Sequence, residues 1–406
     1  MKKITLFNDK KDCCGCGVCV NKCPKQAISM QEDEYGFLYP VIDESKCIQC
    51  GMCLKVCGYQ NEKLNQNVID TFIAQTRNTD IKKSASGGVF ASIAKQIIGA
   101  GGVVVGTALE YDNKILKPRY ILVDNLTDLE KLLGSKYVQS STGNIYKVTK
   151  EYLDKGITVL FSGTPCQVDG LRSYLGKAYD NLFLIDIICH GVPSKKLFQE
   201  YIRFLEEKYS DKIIDFKFRD KTNGWGLTAN AYTANADNKL IPCYMSSYYD
   251  MFLKSYTYRI NCYSCKYANK HRVGDITIGD FWGVEIEHPE VLASNGGDVN
   301  EKQGVSCVIV NNAHGRVLLN KFGVGLLLIK SDFEKAAKHN GQLKEPCELN
   351  ENKRNEVLRA YSTNGYDEVE KWYKKDLGAK GLLKNKIKSI LPSFIKHGIK
   401  IILNFK

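Results

Sequence analysis

The sequence predicts an α/β protein in which a small cysteine-rich domain precedes a larger body, and a helical extension follows that body. Nine of the 16 cysteines lie between Cys13 and Cys57. Apolar strand candidates alternate with helix candidates from about residue 69 to residue 344. Seven lysines and no acidic residue lie between Lys380 and Lys406. We therefore expect three regions, over residues 1–60, 69–344 and 345–406.

Composition excludes several classes of protein. The 406 residues are 44% hydrophobic and 25% charged, which excludes a mainly disordered chain. No run reaches the roughly 18 apolar residues of a membrane span, and the start, MKKITLFNDKK, lacks the apolar core of a secretory signal. We expect a cytoplasmic protein, where clustered thiols bind metal rather than form disulfides. Most of the net charge of +12 lies in the tail, so no nucleic-acid partner is expected.

The N-terminal cysteines form an internal repeat with the spacing C-x2-C-x2-C-x3-C. This spacing is typical of bacterial ferredoxins, in which three thiolates hold one 4Fe–4S cluster and the fourth binds the other cluster. Zinc is the alternative, although four-cysteine zinc sites present two separated C-x2-C pairs. Cys14 is surplus to the pattern, and Gly58 stands where the first run has Pro24. The pattern predicts two 4Fe–4S clusters, one held by Cys13, Cys16, Cys19 and Cys57 and the other by Cys47, Cys50, Cys53 and Cys23.

The body shows the alternation of strands and helices that favours a largely parallel sheet covered by helices. The main helix candidates are residues 88–98 and 194–209. The strand candidates are residues 103–109, 157–162, 182–189, 213–218, 275–279 and 305–311.

Short segments at the ends of these elements carry the chemistry. Ser86, Gly87 and Gly88 immediately precede a helix, so their amides and the positive helix end can face an anion such as a flavin diphosphate, although a plain N-cap turn is the alternative. The segment GTPCQ begins at Gly163, where a strand candidate ends. Ligand sites of open α/β sheets concentrate at such strand ends. A second strand ends in CHGVPS, and a C-x2-C pair precedes GDITIGDFWG.

These segments, in this order, resemble the beta-subunit family of coenzyme F-420 hydrogenases and dehydrogenases, which includes plant 7-hydroxymethyl chlorophyll reductase and relatives fused to a ferredoxin domain. The resemblance implies an α+β flavoprotein body with a mixed sheet, binding FAD beside a 4Fe–4S cluster. Lys136 would then stabilise the anion of reduced flavin. The residues that the resemblance assigns to the cofactor are Ser86, Gly87, Gly88, Gly134, Ser135, Lys136, Tyr137, Gly163, Thr164 and Asp280.

A third cluster is a separate hypothesis. Cys166 and Cys189 end neighbouring strand candidates, and Cys262 and Cys265 form the C-x2-C pair, so the four thiolates can meet at one place. A zinc site or two unrelated buried pairs are the alternatives. Cys307, inside an apolar strand candidate, is expected to serve packing.

Two further features are open to a functional and a plain interpretation. His190 is a candidate proton donor to substrate, or a structural histidine that orients a loop. Arg219, Lys221 and Trp225 are candidate contacts for an anionic or aromatic substrate, and a charged hairpin turn at residues 223–224 is the slightly favoured alternative.

The leading functional hypothesis is an iron–sulfur flavoprotein oxidoreductase that reduces or oxidises an organic substrate or a soluble redox coenzyme. The alternative is an electron-transfer subunit that feeds a partner enzyme, and a ferredoxin or a partner oxidoreductase is an expected partner in either case. Relatives with this layout resemble accessory reductases of surface-polysaccharide pathways.

The tail carries an apolar stripe at helical spacing opposite its lysines. It predicts either a helix docked on the body or an anchor on an anionic membrane surface, with a kink at Pro392. The stripe consists of Leu383, Ile387, Ile390, Leu391, Phe394 and Ile395.

Overall fold

The computed structural model describes residues 4–61 and 67–390. In the N-terminal domain each cysteine run leads into a short helix, α1 (Val18–Lys22) or α2 (Met52–Lys55), and a glycine with positive φ precedes each helix. Between the runs, β1 (Ile28–Glu32) and β2 (Leu38–Ile42) form an antiparallel hairpin. The ferredoxin-type domain that the spacing predicts is therefore a pair of equivalent halves.

Within the described ranges, the body and the C-terminal extension together contain eleven strands and ten helices. The strands are β3 (Asp70–Thr76), β4 (Val103–Asp112), β5 (Ile115–Val123), β6 (Val159–Gly163), β7 (Leu182–Ile187), β8 (Ile213–Lys217), β9 (Thr228–Thr233), β10 (Asn238–Pro242), β11 (Ile276–Asp280), β12 (Ser306–Val310) and β13 (Leu326–Ser331). The helices are α3 (Val89–Gly99), α4 (Leu126–Leu129), α5 (Ile145–Asp154), α6 (Pro165–Leu175), α7 (Lys195–Tyr209), α8 (Ser247–Leu253), α9 (Val284–Glu287), α10 (Ala313–Phe322), α11 (Phe333–Lys338) and α12 (Glu351–Ile390).

Eight strands form the main sheet in the order β13-β3-β12-β11-β7-β6-β4-β5. The four strands β11, β7, β6 and β4 are parallel, as the alternation predicts. The outer strands are antiparallel, because β4 and β5 form a hairpin and β3 pairs antiparallel with both β12 and β13. The expectation of a largely parallel sheet is corrected, and the mixed sheet is confirmed.

Neighbouring residues of the central strands pack on opposite faces of the sheet. Leu160 of β6 packs with α3 and α10 through Ile93 and Leu318. Phe161, the next residue, packs with α5 and α6, and the same core includes Val18 of the N-terminal domain. The N-terminal domain therefore shares a hydrophobic core with one face of the body.

A second lobe is built on a three-stranded antiparallel sheet in the order β10-β9-β8. The strand candidate at residues 213–218 is confirmed as β8, but it belongs to this sheet and not to the main one. The core of this second lobe is rich in aromatic side chains from α7, α8 and α12, including Phe198, Tyr248 and Tyr366.

The C-terminal segment α12 is interrupted at Asn364, Gly365 and Gly378, where the backbone is not helical. Its last part lies against Tyr244, whose carbonyl accepts a hydrogen bond from Asn385 Nδ2 at 2.7 Å. Leu383 and Ile387 are 60% and 50% exposed. The Ile390 side chain and the residues Leu391, Pro392, Phe394 and Ile395 of the predicted stripe lie outside the described residues. In the part of the chain that the structure describes, every helix is too short or too polar to cross a bilayer.

Candidate functional site

A cavity of about 370 Å³ lies beside the carboxyl ends of the parallel strands. The residues that follow β6 and β7 line it, as do the last residues of β11 and the residues that open α3. This is the edge at which open α/β sheets place their ligands. The cavity is therefore the candidate active site.

The turn before α3 faces the cavity with two of its three predicted residues. Ser86 and Gly88 line the cavity, and no side chain caps the helix that follows. An uncapped helix start presents free amides and positive potential, which suits an anionic group. Gly87 corrects the prediction, because its amide donates to Ser306 Oγ at 2.8 Å and a Cβ there would lie 2.3 Å from the Ala74 carbonyl oxygen.

All four residues of the Gly134–Tyr137 segment, including Ser135, also line the cavity. Lys136 does not serve there as a free cation, because its ammonium donates to the carbonyl oxygens of Lys131 and Leu133 at 3.0 and 2.8 Å. Burial lowers the pKa of Lys136 to about 7. Lys136 therefore holds its own loop together, and the expected placement of its charge against a flavin ring is corrected.

Asp280, at the end of β11, belongs to a network that the sequence interpretation missed. The buried Arg219 pairs with it, with Nη1 2.8 Å from Oδ2, and the Trp225 indole donates to Oδ1 at 3.0 Å. The rings of Trp225 and Trp282 stack with centroids 4.8 Å apart. Arg219 and Trp282 line the cavity, so the plain hairpin-turn interpretation of this segment is incomplete. In the sequence, only the aromatic and cationic residue types of this segment indicated a possible site.

Lys221 lies beyond this network and binds backbone rather than the cavity. Its ammonium donates to the carbonyl oxygens of Ile81 and Ser86 at 2.8 and 2.5 Å and also to that of Gln303. Burial lowers the pKa of Lys221 to about 7. It ties the second lobe to the turn before α3, which is a structural role and not the substrate contact considered from sequence.

The four thiols of the hypothetical third cluster all line the same cavity, together with Gly163 and Thr164. Burial raises the pKa of Cys262, and the charges of Cys189, Cys265 and Cys166 raise it further. Burial and the charge of Cys166 raise the pKa of Cys265 to about 11. The structure thus brings together the four residues that two strand ends and one C-x2-C pair supply. Cys307 is buried in β12, which fits packing.

Cys14, surplus to the ferredoxin spacing, connects two thiol groups. It is buried, and it lines the cavity. Hydrogen bonding to Cys16 and Cys166 raises the pKa of Cys14. The hydrogen bond from Cys14 lowers the pKa of Cys166. It therefore lies between the first cysteine run and the cavity thiols, which the spacing of the run does not reveal.

The thiols predicted to hold the first cluster interact electrostatically with one another. Burial raises the pKa of Cys19, and the charges of Cys16, Cys13 and Cys57 raise it further. The body contacts this group, because Thr142 Oγ1 and the Tyr146 hydroxyl donate to the Cys16 carbonyl oxygen at 3.0 and 2.9 Å. These thiols face the body.

The second group lies at the surface. Cys23, Cys47, Cys50 and Cys53 line one small cavity, and Cys50 is exposed. Across residues 4–61 and 67–390, no three His, Cys, Asp or Glu side chains converge closely enough to hold a single metal ion. Each group supplies four thiols, the number of ligands that a 4Fe–4S cluster takes.

His190 lines the cavity, and solvent reaches it there although protein atoms surround it. The surrounding protein atoms partly desolvate the ring, which lowers the pKa of His190. Within the described ranges no hydrogen bond to its ring is observed, and both interpretations of His190 stay predictions.

Comparison with known families agrees with this geometry. Residues 12–61 match the 4Fe-4S dicluster domain, and residues 157–331 match the family described as the C terminus of the beta subunit of coenzyme F420 hydrogenase/dehydrogenase. Residues 157–331 of the body are thus similar to this beta-subunit family. The resemblance drawn from the sequence motifs is confirmed, and the chain is an iron–sulfur protein related to subunits of oxidoreductases.

Among solved structures, a chain of the F420-reducing [NiFe] hydrogenase complex from Methanosarcina barkeri is 16% identical, with a TM-score of 0.43. The match covers 78% of this chain and 95% of that one. A search of curated proteins finds no match.

The part that matches the beta-subunit family contains one side of the cavity and not the other. Cys166, Cys189, Cys262 and Cys265 lie within residues 157–331, as does the Arg219–Asp280 pair. The turn before α3 and the Gly134–Tyr137 segment precede the matched residues. The thiol side of the cavity thus belongs to the family domain, and the side that suits an anion is built from the preceding chain.

Proposed function

We propose that this chain is an iron–sulfur flavoprotein oxidoreductase that binds FAD in the cavity and reduces or oxidises an organic substrate or a soluble redox coenzyme. One observation carries the proposal. The open start of α3 and four grouped thiols line a single cavity, and Cys14 links that cavity to the first cysteine run. A flavin site and a metal site in one cavity are what an enzyme that joins single-electron carriers to an organic reaction requires.

The residues that hold the iron are twelve cysteines in three groups of four. Thiolate-only donor sets of this kind suit 4Fe–4S clusters. When bound, the clusters carry single electrons and the flavin exchanges electrons singly or in pairs. The groups are Cys13, Cys16, Cys19 and Cys57; Cys47, Cys50, Cys53 and Cys23; and Cys166, Cys189, Cys262 and Cys265.

FAD would be held by residues on the opposite side of the cavity. The amides that open α3, next to Ser86 and Gly88, would bind its diphosphate. The Gly134–Tyr137 loop, which Lys136 stiffens from within, would form a second wall. Gly163 lines the same cavity, and its lack of a side chain makes space for Tyr120, because a Cβ at that position would lie 2.0 Å from the Tyr120 hydroxyl.

His190 is the proposed proton-transfer residue for the substrate. Its ring lines the cavity, and its lowered pKa keeps it neutral near pH 7, so it can accept a proton from a substrate or return one. The Arg219–Asp280 pair beside it has its charges balanced, and it would orient a polar substrate without changing the net charge of the site.

A second candidate function is an electron-transfer subunit without its own substrate. It is favoured by the surface around the second cysteine group, where Ile48, Met52 and Leu54 are 58%, 37% and 38% exposed beside the exposed Cys50. Apolar side chains around a surface redox site are suited to a transient redox partner, such as a ferredoxin or a partner oxidoreductase.

The test is a cofactor inventory followed by turnover. Protein purified without air should carry about twelve irons and one FAD, and Cys262→Ser should carry about eight irons. Cys307→Ser, a buried cysteine in β12, is the matched control and should keep them all. With a strong chemical reductant, substrate turnover by the isolated chain supports the enzyme, whereas reduction of bound flavin without turnover supports the electron-transfer subunit. Protein with zinc and no flavin would contradict both.

We also propose a peripheral contact of the C-terminal segment with an anionic membrane surface, which suits work on surface polysaccharides. The exposed Leu383 and Ile387 support it, together with the lysines of this segment. Sedimentation with anionic vesicles should require the residues after Lys375. Equal binding by the full and truncated chains would contradict the contact.

A further inference from the structure

Arg259 enters the N-terminal domain from the body. Its backbone lies between α8 and the Cys262 turn, where its amide donates to the Val192 carbonyl oxygen at 2.9 Å. Its side chain is fully buried. Nε donates to the Cys13 carbonyl oxygen at 3.0 Å, and Nη1 donates to that of Leu38 at 2.8 Å. The guanidinium thus reaches the loop that carries the first cysteine of the repeat.

The charge of Arg259 has no counter-ion among the described residues. The two other buried arginines of the cavity region are paired, Arg219 with Asp280 and Arg272 with Asp186. Arg259 instead donates to neutral carbonyls, lies 3.7 Å over the Tyr39 ring, and leaves Nη2 without a hydrogen bond. A buried charge without a partner is strongly destabilising, so proteins bury arginine beside an anion.

The anions within reach are cysteine sulfurs. Nε of Arg259 donates to the carbonyl oxygen of Cys13 itself, the first predicted ligand of that group. The amide of Cys262 donates to the Arg259 carbonyl oxygen at 2.9 Å. Arg259 therefore lies beside the loops that carry ligands of the first group and of the cavity group.

Gly15 provides the space for this approach. Its φ is +72°, and a Cβ there would lie 3.2 Å from Arg259 Cζ. At the equivalent place in the second run the chain has Gln49, with a φ of 56°. The glycine is needed only where the arginine enters.

We propose that Arg259 is the counter-charge of the iron–sulfur group at Cys13, Cys16, Cys19 and Cys57, and that it raises the reduction potential of that group. This rests on the proposed function, which places a cluster there. A cluster held by thiolates is anionic, and reduction adds another negative charge, so a fixed buried cation favours the reduced form. Arg259 is a positioning residue that acts through charge.

The test compares Arg259→Gln and Arg259→Lys with the unchanged chain by redox titration followed by electron paramagnetic resonance, after iron and sulfide are counted. At a fixed potential, Arg259→Gln should lower the ratio of reduced to oxidised first cluster by about tenfold, which is 59 mV for one electron. Arg259→Lys should stay within about threefold of the unchanged chain, because it keeps the charge.

Several outcomes overturn the inference. Arg259→Gln with full iron and an unshifted titration would contradict it, and so would Arg259→Lys that behaves as Arg259→Gln does. If Arg259→Gln loses iron, Arg259→Lys decides the matter, since a charge role requires full iron and a near-normal titration in that variant. An unchanged chain with fewer than about eight irons would contradict the proposed function instead.

Discussion

The two cysteine runs have the same spacing and opposite surroundings. Cys14 of the first run is 7% exposed, whereas Ile48, at the equivalent position of the second run, is 58% exposed. Gly17 and Gly51 both have positive φ, but a Cβ at Gly17 would lie 2.4 Å from Thr142 Oγ1, whereas nothing lies within 4 Å of one at Gly51. The spacing specifies the ligands. The packing against the body specifies how far each group is shielded from solvent, which charges lie near it and how accessible it is.

The largest effect is expected when Gly15 of the first run is replaced by glutamine, the residue at the equivalent position of the second run. In Gly15→Gln, the new Cβ would approach Gln139 Nε2 to 2.7 Å and Arg259 Cζ to 3.2 Å, in backbone that disfavours any side chain. Strain and overpacking together should lower the free energy of unfolding by about 3 kcal/mol or more. Denaturant unfolding without air, followed by cluster absorbance, measures this.

The reciprocal change, Gln49→Gly, is the control for that variant. Gln49 is exposed and already has a φ of 56°, so glycine should leave the free energy of unfolding within about 1 kcal/mol. Equal losses in the two variants would show that the runs have the same surroundings.

A smaller and better matched difference is expected between Gly17→Ala and Gly51→Ala. Both variants carry the strain of a left-handed residue, about 1 kcal/mol. Only Gly17→Ala also displaces Thr142, whose hydroxyl donates to the Cys16 carbonyl oxygen at 3.0 Å. It should lose about 1–3 kcal/mol more of the free energy of unfolding than its partner. A difference near zero would mean that Thr142 moves freely.

The exposure of Cys50 leads to a kinetic prediction. A strong iron chelator should remove about four irons at least tenfold faster than the rest, because the other groups must first open from the body. Cys50→Ala should lack this fast phase, and Cys19→Ala should keep it. A fast phase that survives in Cys50→Ala would assign the labile iron to another group.

The sequence predicted what depends on ligand type and strand ends, and missed what depends on long-range packing. The three thiol groups follow from spacing and from the meeting of strand ends, so they could be predicted. The environment of Arg259 could not, because its partners at residues 13 and 38 are distant along the chain. Lys136 shows the opposite error, since its residue type suggested a cofactor contact, whereas nearby carbonyl oxygens bind its ammonium.

The smallest effect concerns Gly58, which occupies the position in the second run that is equivalent to Pro24 in the first. A Cβ there would lie 2.0 Å from Asp169 Oδ2 and 2.4 Å from Ser173 Oγ, both on α6. These are the ends of short side chains, and moving Asp169 breaks the hydrogen bond that its Oδ2 accepts from the Tyr267 hydroxyl at 2.8 Å, so Gly58→Ala should lower the free energy of unfolding by about 1 kcal/mol. Gly341→Ala, with nothing within 4 Å, is the control and should be neutral or slightly stabilising. If both variants are neutral, α6 does not need a glycine at this contact, and the missing proline is unrelated to docking.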